Sequence, residues 1–93
     1  MPPYINDRME ALGGLGAAVC AYHQKILTER QSQEMANAFL RRNPNLGPAA
    51  NWVTETNEGA NSMRVMLGYL SPDCKRITDV EAMTKAVYPF VKS

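Results

Sequence analysis

Ninety-three residues allow one domain, and a 45% hydrophobic, 20% charged composition is that of an ordinary globular chain. Ten Lys and Arg against nine Asp and Glu leave a net charge of +1, which excludes whole-surface attraction to nucleic acid or anionic membrane. The longest weakly polar run, residues 11–22, is far shorter than the ~20 residues a bilayer span needs, and it holds three glycines.

No stretch alternates with period two, and turn signals cut the chain into helical pieces, so the sequence predicts an all-α bundle of four to five helices in one domain, residues 1–93. The first helix is expected over 5–26. Ile5, Met9, Leu12, Gly16, Val19, His23 and Ile26 recur at intervals of three and four, one face of a helix. Pro2 and Pro3 are expected to stay extended ahead of it.

Thr28 followed by Gln31 is a capping box, in which each side chain bonds the other's backbone amide. It starts a second helix, 29–42, whose inner residues are Met35, Ala36, Phe39 and Leu40 and whose Arg41 and Arg42 suit the negative end of the helix dipole. Residues 43–47 read as a loop. Pro48 is a good first helical residue, because its missing donor would be unpaired there anyway. The third helix then runs over 48–70 with Ala49, Trp52, Val53, Thr56, Ala60, Met63, Leu67 and Leu70 on one face, and with a bend or break expected near 57–61 from Asn57 and Gly59. Ser71-Pro72 predicts a short helical turn near 72–76, and Thr78 to Glu81 a second capping box opening a last helix, 79–88, stopped or kinked by Pro89. Its inner face is Val80, Met83, Ala86 and Val87; the core as a whole is expected around Leu12, Val19, Phe39, Leu40, Trp52, Val53, Met63, Leu67, Val80, Met83 and Val87.

Cys20 and Cys74 carry the largest consequence. Joined, they tie the first helix to the turn after the third and point to an oxidising compartment; unjoined, they are two small buried thiols in a reducing cytosol. The segment before residue 11 carries Asp7 and Glu10 beside a single Arg8, unlike a leader, so the chain as it stands reads as cytoplasmic, or as periplasmic or secreted if a leader has been removed. His23, one helical turn after Cys20, invites a metal or thiolate-imidazole reading, but no set of four ligands and no orienting third group accompanies it. No cofactor and no catalytic residue is assigned, and the chain reads as a non-enzyme.

Gly13, Gly14, Gly16, Ala17 and Ala18 strip side chains from the middle of the first helix, which permits close approach of a neighbouring helix, a partner or a ligand. Six methionines suit an adaptable core or groove. The favoured expectation is a non-catalytic interaction or regulatory module, bound to a copy of itself or another protein through Gly13, Gly16 and Ala17 or through Tyr88, Phe90 and Val91 at the C-terminal end. Two alternatives stand beside it. One is an exported, disulfide-closed helical domain that binds a small ligand or an envelope partner. The other is a helix-turn-helix-like DNA regulator contacting duplex through Arg30, Arg41, Arg42 and Asn51, against which the long 43–47 connection counts.

Overall fold

The computed structural model describes residues 2–93. Five helices follow one another: α1 (Pro3–His23), α2 (Glu29–Arg42), α3 (Gly47–Glu55), α4 (Asn57–Leu67) and α5 (Val80–Val91), with a 3-10 turn at Pro44–Leu46 before α3. Among the described residues no strand forms, and the only bridge is an isolated antiparallel pair, Leu70 with Ile77. The fold is all-α. Its radius of gyration, 12.3 Å, is that of a compact chain of this length, for which the usual scaling gives about 12 Å.

α1 is the central element, packed by α2, α3, α4 and α5. Its small residues let the others come close. A Cβ on Gly14 would collide with the Phe39 ring of α2, and one on Gly16 would stand 2.8 Å from Met66 Sδ of α4. The core joins Ile5, Ala11, Leu12 and Leu15 of α1 to Ala49, Ala50, Trp52 and Val53 of α3, Met66 of α4, and Met83, Val87 and Val91 of α5.

The ends of the elements differ from the sequence expectation for local physical reasons. Pro3 is not extended but opens α1, where its missing donor costs nothing. α1 stops at His23 rather than 26 because Lys25 turns left-handed, with φ of 60°. The amides of Ile26 and Leu27 then both donate to the Ala21 carbonyl, a left-handed C-terminal cap. Ile26 is thereby left 53% exposed, outside the core.

The single helix expected over 48–70 is two. Thr56 takes an extended conformation, and its hydroxyl accepts from the Gly59 amide to cap α4. That break begins one residue before the span expected to bend, and Gly59 permits it: a Cβ there would strike the Trp52 carbonyl and lie 2.6 Å from Val53 Cα. The expected helical turn near 72–76 is instead a hydrogen-bonded loop, in which Ser71 Oγ donates to Asp73 Oδ1 and accepts from the Arg76 amide.

Thr78 does not cap α5. Its hydroxyl donates to the Tyr69 carbonyl, and Asp79 caps in its place by accepting from the Ala82 amide. Val80, expected inside, is 60% exposed, and Met35 of α2 is 40% exposed. α5 runs through Pro89 to Val91. An interior proline costs about 3 kcal/mol, and burying Val91 completely returns part of that.

Candidate functional site

One concavity of the molecule is assembled from four helices. α1 contributes Leu15, Ala18 and Val19, α2 Ser32, Gln33 and Ala36, α3 Val53 and Thr54, and α4 Ala60 and Met63, around a groove of about 380 Å³. Residues 15, 18 and 19, and likewise 32, 33 and 36, share a face at helical spacing. The Thr56 break lets α3 and α4, which a straight helix would align, both present residues to the same space.

Small side chains leave the space open. Ala18, Ser32, Ala36 and Ala60 lie along its lining. The lining is almost wholly apolar, and its hydroxyl donors are already committed. Ser32 Oγ donates 2.7 Å to the Ala18 carbonyl, pinning α2 onto α1, and Thr54 Oγ1 donates 3.0 Å to the Ala50 carbonyl within α3. Gln33, exposed at the rim, brings the one side-chain amide, and no charged residue lines the groove.

Cys20 and Cys74 are joined in a disulfide spanning 54 residues, with their Cα atoms 5.8 Å apart. The bridge fastens the 69–78 loop to α1. Cys74 sits in the left-handed region, φ 64°, and the loop around it is braced because Asp73 Oδ1 also accepts from the Lys75 amide. Those two bonds, from the Ser71 hydroxyl first and the Lys75 amide second, hold the Asp73 carboxyl below its ordinary pKa, with the Lys75 and Arg76 charges adding to the effect. His23 does not join Cys20: it is exposed and its ring tilts against Tyr22, 5.6 Å between centroids. Among the described residues no three His, Cys, Asp or Glu side chains converge.

The residues expected to form an interaction surface separate. Gly16 is buried beneath Met66, and Val91 is wholly buried in the core, so neither can touch a partner. Gly13 and Ala17 line a second, shallower hollow of about 280 Å³ beside Cys74, while Tyr88 stays 40% exposed and Phe90 is half-buried. The candidate duplex contacts Arg30, Arg41, Arg42 and Asn51 are all exposed but do not cluster. Arg30 lies at the start of α2 and Arg41 and Arg42 at its end, about 16 Å away at 1.5 Å per residue. α2 packs chiefly on α1, with the Pro44–Leu46 turn between it and α3, unlike the paired helices of a helix-turn-helix.

Sequence reasoning placed Ala36, Ala60 and Met63 on inner faces but did not see that they border a gap. Ser32, Gln33 and Thr54 were missed altogether. The available signal was a small residue at the expected contact position of each of three helices, at Ala18, Ala36 and Ala60. No helix is long and apolar enough to cross a membrane among the described residues. Comparison with protein-family models, with characterised proteins and with solved structures finds no match to this chain.

Proposed function

We propose that this chain is a non-catalytic, disulfide-closed helical binding domain whose four-helix groove receives an apolar ligand. The observation that carries the reading is the groove itself: about 380 Å³ of space falls in the usual range of small-molecule sites, roughly 300–1,000 Å³. It is held open on one side by α2, which Ser32 ties to α1, and on the other by the capped break at Thr56.

The absence of charge from the lining supports binding over catalysis, because acid-base and nucleophilic chemistry need a titratable group beside the reacting atoms. The Cys20–Cys74 bridge supports work in an oxidising compartment, where such bonds persist. Met63 provides the test. Met63 lines the groove, whereas Met83 is in the core. Titration with naphthalene is expected to shift the Met63 methyl resonance saturably and leave that of Met83 in place. Ala36→Phe, which puts a ring into the space, is expected to abolish the shift while the variant keeps its helical spectrum. An unmoved Met63 methyl at saturating naphthalene defeats the reading.

A further inference from the structure

We infer that α2 is a cover hinged on α1: it lifts away as a unit while α1, α3, α4 and α5 keep their packing, and each lifting removes one wall of the groove. The motion needs no ligand.

How weakly α2 is held follows from what it touches. It packs on α1 and on the Pro44–Leu46 turn that succeeds it, and faces α3 and α4 across the groove. Of its 14 residues Ser32 alone is buried, whereas each of the other four helices buries three or more. Ala36, Phe39 and Leu40 are only partly buried against the core. The Phe39 ring lies against Gly14, where no side chain interlocks with it.

Polar ties are few as well. Among the described residues, the Ser32 hydroxyl on the Ala18 carbonyl is the single hydrogen bond from α2 to another helix, and no ion pair joins α2 to the rest of the molecule. The Cys20–Cys74 bridge fastens α1 to the 69–78 loop and passes α2 by.

Both ends of α2 are built to turn. Lys25, with φ of 60°, and the extended Thr28 make the 24–28 connection non-helical, and Asn43, with φ of −132° and ψ of 64°, separates α2 from the Pro44 turn. A few such junction residues can absorb the change of direction that a swinging helix requires. When α2 lifts, Ser32, Gln33 and Ala36 leave the groove and the α1 surface at Gly14 and Ala18 is uncovered. A detached helix of 14 residues is marginal in water, so its amides exchange with solvent while it is open.

The test is native-state hydrogen exchange on the intact oxidised protein, followed amide by amide by NMR where reclosing outpaces exchange. The amides from Ala36 to Phe39, away from the fraying ends, are expected to be at least about tenfold less protected than those of Leu12 and Met66. Val87→Ala trims a wholly buried side chain of α5. It is expected to lower protection at Leu12 and Met66 at least about tenfold by easing global unfolding, and to leave Ala36 to Phe39 within about twofold of the parent. Parent protection of the two sets equal within about threefold overturns the inference. So does a Val87→Ala loss in α2 as large as that in the core, since α2 would then open only when the whole molecule unfolds.

Discussion

The guanidinium of Arg8 lies 4.4 Å from the centre of the Trp52 ring, and the same group donates 2.7 Å to the Val91 carbonyl. One side chain on α1 thereby joins α3 to the last turn of α5. Its other contacts complete the clasp: the Tyr4 ring stands 4.9 Å away and the Ser93 carbonyl accepts at 2.6 Å.

Arg8→Ala is expected to destabilise the fold by about 2–3 kcal/mol, combining a charge-assisted hydrogen bond with a cation-π contact. Arg8→Lys recovers only part, because an ammonium cannot stack flat on indole while reaching two carbonyls. Urea denaturation followed by Trp52 fluorescence measures both. A loss below about 0.5 kcal/mol, the size of an ordinary surface change, contradicts the clasp.

Val91→Ala tests the same end of the molecule from inside the core. Val91 is fully buried, so the substitution is expected to cost about 1.5–3 kcal/mol. Tyr88→Ala, at an exposed position, is expected to change stability by less than about 0.5 kcal/mol. Equal effects of the two in urea denaturation would contradict the inward placement of Val91.

The glycines divide by what faces them. A Cβ at Gly13 meets nothing within 4 Å, so Gly13→Ala is expected to stabilise by about 0.5–1 kcal/mol through helix propensity. Gly59→Ala drives a methyl into the backbone of Trp52 and Val53, which cannot swing aside as a side chain can. It is expected to cost about 2–3 kcal/mol or more. Thermal midpoints of the two variants are expected on opposite sides of the parent.

Reduction, or Cys20→Ser with Cys74→Ser, opens a loop of 54 residues. In the chain-entropy account that removes about 4 kcal/mol, a large fraction of what a domain this small possesses. The expected result is a urea midpoint shifted strongly downward, with no free thiol detectable in the denatured, unreduced parent.

Asp73 sets an acid limit on the loop. Its folded pKa is lowered from 3.8 by the Ser71 hydroxyl and then the Lys75 amide, so its contribution is fully present above 3.8 and fades as pH falls through the lower folded value. Carboxyl-detected NMR is expected to place its titration below that of a free aspartate. Asp73→Asn is expected to flatten the stability profile in that acid window and not above it.

What the chain alone determined was whatever closes within one helical turn. The Thr28 and Gln31 box forms both its bonds, and α2 starts and ends where its residues say, because donors and acceptors three positions apart need no third party. Pro89 shows the opposite case. Read locally it stops or kinks a helix, yet α5 continues to bury Val91 and to present its carbonyl to Arg8, an incentive 83 residues away in sequence. The Thr56 break has the same character: Asn57 and Gly59 signalled weakness nearby, but its position follows from how closely α4 returns onto Trp52.

The groove lies furthest from local reading. Alanine at 18, 36 and 60 and serine at 32 are each unremarkable within their own helix, and become a cavity only when α2 and α4 settle against α1 with nothing between them. Caps and periodic faces are properties of neighbours along the chain and so are written in it. An empty volume is a property of distances between elements, which packing alone sets.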